Sequence, residues 1–247
     1  RPVRAVDGGW CGRLVHRPSA EDSARRATGL VLAAVAANYD GAAMSSPHHP
    51  LFARMYDIVM MPSDRMGIRR QRRHLCRRAA GIVLELGVGT GLNLPHYERA
   101  DTVVAVDHDQ GMLRRADKRA RESIVDVHLI AADAHGLPFA DNSFDTIVVG
   151  LSLCTIPDPD QSLVEALRVV TPDGELHFLE HVRATHSTRV AHFEDRIAPF
   201  WGKVAGGCRP NQDTARIIDD AGWEISELWQ SDRGGLIQGT AVPKAPN

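Results

Sequence analysis

From residue 82 to residue 242, short apolar runs alternate with longer stretches of helical period, and this alternation constrains the fold of the 247-residue chain more than any other feature. The runs Ile82–Leu86 (IVLEL), Thr102–Val106 (TVVAV), Val127–Ile130, Thr146–Val149 and Leu176–Leu179 are too short for buried helices. Apolar runs of this length suit strands covered on both faces. Between them the period predicts helices over Gly111–Glu122 and Asp160–Val170. The second carries Leu163, Leu167 and Val170 on one face, with Pro172-Asp173-Gly174 as its stop. A further helix over Gly67–Ala79, with Ile68, Leu75 and Ala79 on one face, precedes the first strand. Gln212–Ala221 is a helix ending at Gly222, before two late strands, Trp223–Trp229 and Leu236–Val242. Those last two are separated by too few residues for a crossover helix and are expected to pair antiparallel. Strands alternating with helices give an α/β three-layer sandwich, a mostly parallel seven-stranded sheet with an antiparallel last strand.

Composition narrows the class. Hydrophobic residues make up 43% of the chain and charged residues 24%, enough for an ordinary globular core. The formal net charge of −2 argues against a nucleic-acid binder. Only Lys118, Lys203 and Lys244 are lysines; the remaining basic residues are arginines, which with the abundant alanine points to a high-GC bacterial genome. Cys11, Cys76, Cys154 and Cys208 form no CxxC pair and no disulfide framework, so a reducing cytoplasm is expected. His181, His186 and His192 are the densest histidine cluster. They lack the i, i+4 spacing of a helical zinc site, and no metal is expected. Gly29–Ala37 (GLVLAAVAA) has the outline of a signal-peptide core, but it is short and lies well inside the chain. Residues 1–43 read as a poorly ordered extension. Met44 opens a segment that reads like a natural start, and residues 44–247 form the single expected domain.

The segment Glu85-Leu86-Gly87-Val88-Gly89-Thr90-Gly91 follows a strand. Its glycines allow φ > 0 and close backbone approach to a ligand. A nicotinamide-binding turn is similar, but its G-x-G-x-x-G pattern places a third glycine where Leu92 stands, whereas here it falls at Gly91. The next strand ends at Asp107, where a carboxylate can accept hydrogen bonds from both ribose hydroxyls or cap the following helix. Asp133, after the third strand, opens DAHGLPFADNSFD and can accept from an adenine amine. Two acids at the ends of successive strands, followed by LPF-x-D-x-SFD, separate this pattern from the nicotinamide one.

VLELGVGTG, VVAVDHDQGML and ALRVVTPDGELHFLEH resemble the first, second-strand and fifth-strand motifs of class I S-adenosylmethionine-dependent methyltransferases of the ubiquinone/menaquinone-biosynthesis type, over residues 52–242. GVGTGLNLPHY is similar to bacterial phosphatidylethanolamine N-methyltransferases. LSLCTIPDPDQ, FLEHVRA and FWGKVAGGCRPN resemble the microsomal alkyl-thiol methyltransferases of animals. The resemblance implies a Rossmann-like fold, S-adenosylmethionine as cofactor, and a set of contacts. Asp107 would hold the ribose. Gly87, Val88, Gly89, Thr90 and Gly91 would line the methionine portion, with Glu85 orienting the loop. Asp133 and the backbone of Ala134 would read adenine, and His108 and Met112 would flank its ring. Leu151 would border the sulfonium, and Asn93 and Tyr56 would reach the methionine carboxylate. Met112 and Tyr56 read equally as core residues.

Ligands of parallel sheets sit outside the carboxyl ends of the strands. This places Cys154, Thr155, His181 and Arg183 on the acceptor side, with Trp201 and Phe200 available to line an apolar pocket. His181 reads either as a general base or as a structural histidine at a strand end. The expected acceptor is a small or lipid-like molecule, a thiol first, then a phospholipid amine or quinol. A nicotinamide-dependent oxidoreductase and a non-catalytic cofactor-binding protein are the competing classes. The arginines between Arg65 and Arg78 read either as a solvated helix face or as a peripheral contact with anionic membrane. The animal relatives carry a membrane anchor; no equivalent hydrophobic span is read here, so a cytoplasmic place, with peripheral membrane contact at most, is expected.

Overall fold

The computed structural model describes residues 29, 30, 33, 67–182, 209, 211–231 and 235–245. Helix α1 (Arg69–Arg78) leads into strand β1 (Ala80–Leu86). A short 3₁₀ turn at Leu94–His96 precedes β2 (Arg99–Asp107), followed by α2 (Gln110–Arg121) and β3 (Asp126–Ala131). Then come β4 (Phe144–Gly150), α3 (Pro159–Val169), β5 (Val170–His181), α4 (Thr214–Asp220), β6 (Trp223–Gln230) and β7 (Leu236–Pro243). The strands form one sheet in the order β3-β2-β1-β4-β5-β7-β6. Neighbours from β3 to β5 are parallel. β7 runs antiparallel to both β5 and β6. The strand order reverses between β1 and β4, so a crevice opens at the carboxyl ends of those two strands.

The near-continuous apolar character of β1, β2 and β4 follows from burial on both faces. Alternate residues point to opposite sides. Ile82, Leu84 and Leu86 join Val104, Ile147, Leu163, Phe178 and Trp223 on the side of α3 and α4. Val83 joins Val103, Ala105, Val148, Leu75, Cys76 and Ala116 on the side of α1 and α2. Trp223 is fully buried, and its indole N–H donates to Leu163 O at 3.1 Å, fixing β6 to α3.

Two details differ from the sequence reading. Pro172-Asp173-Gly174 does not separate helix from strand. β5 begins at Val170, paired with Phe144, and its register shifts before Thr146 meets Glu175. A proline is tolerated in a strand at such an irregularity, because the ladder bond it cannot donate is already interrupted. The helix cap after β2 is Asp109, whose carboxylate accepts from Gly111 N; Asp107 is left for another purpose. The arrangement of strands and helices is otherwise the one expected.

Candidate active site

At the end of β1 the chain turns through Gly87, Gly89 and Gly91, with φ of 69°, 55° and 83°. The N–H groups of Gly87 and Val88 both donate to Val106 O, at 2.9 and 3.0 Å, which pins the loop to the end of β2. The three glycines have different reasons. A Cβ on Gly87 would stand 2.5 Å from Ser152 Cβ, and one on Gly91 would press on Leu94 and Ala116. A Cβ on Gly89 would meet nothing within 4 Å. Gly89 therefore faces open space, where a ligand can lie against bare backbone. Val88 and Thr90 are buried, and Arg119 donates to Thr90 O at 2.6 Å.

Asp107 closes this end. Its Oδ2 accepts from Gly89 N at 2.8 Å and its Oδ1 from Asp109 N at 2.9 Å. Burial pushes the carboxyl above its usual range, against the pull of those two N–H groups. Each oxygen takes one of the two bonds, so each keeps acceptor capacity for a hydroxyl. His108 projects into solvent beside it, Nδ1 3.6 Å from Asp107 Oδ1, while Met112 is buried. Ala132 N donates to Asp107 O at 3.1 Å, drawing the segment after β3 to the same corner. There Asp133 is exposed, its Oδ1 bonded to His135 N and Nδ1, with half-buried Ala134 between them.

Beneath the loop lies a buried polar chain. Glu85 Oε1 accepts from Asn93 Nδ2 at 2.8 Å, and Oε2 from the Tyr97 hydroxyl at 2.9 Å. Arg72, buried on α1, donates to Asn93 Oδ1 at 2.8 Å. Burial raises the Glu85 pKa to about 7 despite these donors. Glu85 thus ties the end of β1 to Asn93 and Tyr97 beneath the loop. The Asn93 amide bonds to protein at both ends, to Glu85 through Nδ2 and to Arg72 through Oδ1.

At the end of β4, Leu151 has φ of 61° and donates its N–H to Leu179 O at 2.7 Å. A positive φ at a non-glycine residue is uncommon and is held by its surroundings. Ser152 Oγ donates to Leu86 O at 2.8 Å, the residue before the glycine loop. Ser152 N and Leu153 N both donate to Glu180 Oε1, at 2.9 and 3.1 Å. Glu180 is fully buried, and burial raises its pKa to about 7. Cys154 is buried; Thr155 is exposed, and its hydroxyl donates to Ser152 O at 2.7 Å. His181, next to Glu180, has a buried Nδ1 without a hydrogen-bond partner, and its carbonyl accepts from Thr214 Oγ1 at 3.3 Å.

The structure therefore gathers Gly87–Gly91, Asp107, His108, Met112, Asp133 and Ala134 at one end of the crevice. Leu151, Cys154, Thr155 and His181 gather at the other. Tyr56, Arg183 and Trp201 lie outside the described residues, as do Phe200, His186, His192 and Arg65. Ser152 and Glu180 were not anticipated. The available signal was an acid inside an otherwise apolar strand, since carboxylates are almost never fully buried without a partner.

An open crevice at the reversal of strand order, a bare-backbone loop and a buried acid at the next strand end define an α/β protein built for a nucleoside-bearing cofactor. A family model described as "Methyltransferase domain" matches residues 84–178. A phosphatidylethanolamine N-methyltransferase of Cereibacter sphaeroides is 32% identical, covering 74% of this chain and 89% of its own. A demethylmenaquinone methyltransferase of Renibacterium salmoninarum is 40% identical over 75% of this chain and 88% of its own. A thiol S-methyltransferase of Rattus norvegicus is 30% identical over 60% and 62%. Among solved structures, a chain from the complex of the Haloferax volcanii Trm112 methyltransferase activator with a methyltransferase superposes with a TM-score of 0.62. Its identity is 17%, covering 81% of this chain and 100% of that one, so it speaks for the fold alone. The chain belongs to the S-adenosylmethionine-dependent methyltransferases, with S-adenosylmethionine as its methyl donor. The nicotinamide alternative falls with this.

Proposed function

We propose that the enzyme methylates a small or lipid-like apolar acceptor, a thiol first, then a phospholipid amine or a quinol. The observation that carries this reading is the apolar rim at the ends of β4 and β5. Leu151, Leu153, Cys154 and Val182 are all buried there, with His181 beside them. The names of the three relatives, which specify a phospholipid amine, a demethylmenaquinone and a thiol, support it.

On the donor side the residues fit the cofactor. Asp107 has acceptor capacity for the ribose hydroxyls, and Gly89 leaves room for the amino-acid portion beside Gly87, Val88, Thr90 and Gly91. Asp133 and Ala134 N serve the adenine, and His108 and Met112 flank it. Leu151 borders the sulfonium, and Cys154, Thr155 and His181 face the acceptor. The cofactor supplies an electrophilic methyl on a good leaving group, so the protein's work is alignment and exclusion of water. A thiol, with an ordinary pKa near ~8.5, asks little of a base.

The exposed face of α1 carries Arg69, Arg70 and Arg73, which have no ion pair among the described residues, while Arg77 and Arg78 pair with Glu98 and Glu227. These three exposed arginines support peripheral contact with an anionic lipid surface. No helix among the described residues is long and apolar enough to cross a membrane. The deciding experiment supplies alkyl thiol, phenol, quinol and phosphatidylethanolamine acceptors, the lipid in vesicles with and without anionic lipid. Methyl transfer to the thiol arm above the others is expected. Turnover confined to polar acceptors would overturn the reading.

A further inference from the structure

Resting on the proposed apolar acceptor, we infer that the carboxyl ends of β5 and the segment entering α4 form a subsite for the acceptor's proton-bearing head group (S–H, N–H or O–H), with Glu180 taking its proton. The argument begins with unpartnered atoms. Buried polar atoms are nearly always hydrogen-bonded, and each exception calls for a cause. Among the described residues such atoms concentrate here: Glu180 Oε2, His181 Nδ1 and both ends of the Gln212 amide. Thr214 Oγ1, bonded to His181 O, brings the segment carrying Gln212 to the end of β5.

Glu180 is held in a particular way. Its Oε1 accepts from Ser152 N and Leu153 N, so one carboxylate oxygen is clamped and the other is free. The clamp connects directly to the donor loop. Ser152 donates to Leu86 O and fills the space that a side chain at Gly87 would need. Leu151, with its positive φ, precedes it. The free oxygen therefore belongs to a buried carboxylate at the end of β5, two contacts from the glycine loop. Burial raises its pKa to about 7, where a carboxylate is a competent base near neutral pH. His181 is the titratable neighbour that stabilises the charged form; the backbone N–H groups of Ser152, Leu153 and Cys154 do the same.

The step balances without a further reagent. The acceptor atom forms a bond to the methyl carbon as the carbon–sulfur bond of the donor breaks. That bond's electron pair goes to sulfur, neutralising the sulfonium, and the acceptor's proton goes to Glu180 Oε2.

The test is Glu180→Gln, which keeps an oxygen for the Ser152 and Leu153 N–H groups and removes the base. At neutral pH, kcat should fall about 10-fold with an alkyl thiol, whose thiolate forms readily, and roughly 100-fold with a phenol or quinol acceptor. The limb of the wild-type pH profile near 7 should disappear, while S-adenosylmethionine affinity and melting temperature are not lowered. Independently of turnover, the protein saturated with S-adenosylhomocysteine should bind the thiol about ten times more weakly as Glu180→Gln. Wild-type turnover with an unchanged variant, or a variant that keeps the pH limb, would overturn the Glu180 assignment alone. A wild type that neither turns over nor binds thiol, amine or quinol would overturn both this subsite and the apolar-acceptor reading. A variant that merely melts early is separated from a base-deficient one by Glu180→Asp, which should restore part of kcat if a carboxylate is what matters.

Discussion

The two ends of the crevice are built by different means. At the β1–β2 end the surface is backbone above all: three glycines at positive φ, N–H groups committed to Val106 O and Asp107, and one acid with a partner on each oxygen. At the β4–β5 end it is side chain: a strained Leu151, a serine tying two strands together, and a glutamate with one oxygen free. A backbone surface binds any ligand with the right shape and cannot be retuned by one substitution without disturbing the turn. A side-chain surface is retuned easily. This division suits a family whose members are named for different acceptors, and it puts the surface that resists retuning at the β1–β2 end.

The largest test of this contrast lies within the glycines. Gly87→Ala should cost about 3 kcal/mol or more, because strain at positive φ adds to a Cβ 2.5 Å from Ser152. Gly89→Ala should cost only about 1 kcal/mol of stability, having no atom to meet, yet should weaken S-adenosylmethionine binding at least ~10-fold. Denaturant melts with titration calorimetry measure both; equal stability losses would mean that Gly89 faces protein instead of ligand.

Next in size is Asp107→Ala. Loss of two charge-assisted hydrogen bonds to ribose should weaken the donor by roughly 100-fold while leaving acceptor KM unchanged at saturating donor. Undiminished calorimetric affinity would remove the ribose assignment.

The smallest effect is a pH dependence shared by the two halves. Glu85 braces the donor loop and Glu180 the acceptor loop, and burial raises both from 4.5 to about 7. Each holds its proton more tightly folded than unfolded, so its stabilisation is complete below pH 4.5 and is lost as pH rises to about 7. His177, lowered by burial from 6.5 to about 4, acts oppositely: its contribution is present above 6.5 and lost as pH falls through about 4. Between pH 4.5 and 6.5 the losses at Glu85 and Glu180, to which the raised Asp107 carboxyl adds in the same direction, oppose the one gain at His177. Stability of the cofactor-free protein should therefore fall with rising pH, by about 1–3 kcal/mol. Urea midpoints at pH 5 and pH 7 check the sign. Glu85→Gln and Glu180→Gln should each flatten the slope, and a slope that survives in both would assign it to other groups.

Much of this is legible in the sequence because it is local there. Ile82–Leu86 followed by glycines two apart specifies a strand and a tight turn within ten residues, and Asp107 is marked by ending the next apolar run. The bonds of Asn93 are not legible there for the opposite reason: its partners are Arg72, 21 positions earlier, and Glu85, an arrangement set by how α1 packs. Glu180 shows in the sequence only as an acid in an apolar strand, and its bonds stay hidden because its partners, Ser152 and Leu153, are 28 and 27 positions away, just past the end of β4. Pro172–Gly174 looks like a stop, and only the pairing of Val170 with Phe144 shows the strand running through it.

The interior place of β7 has a consequence for synthesis. β5 and β6 cannot touch, because β7 lies between them and is made after both. A chain on the ribosome that has not yet reached Leu236 leaves the backbone of Leu176–His181 as a bare edge, and bare edges recruit foreign strands. The interval between translating β5 and translating β7 is thus a period when this edge stands open to pairing with foreign strands.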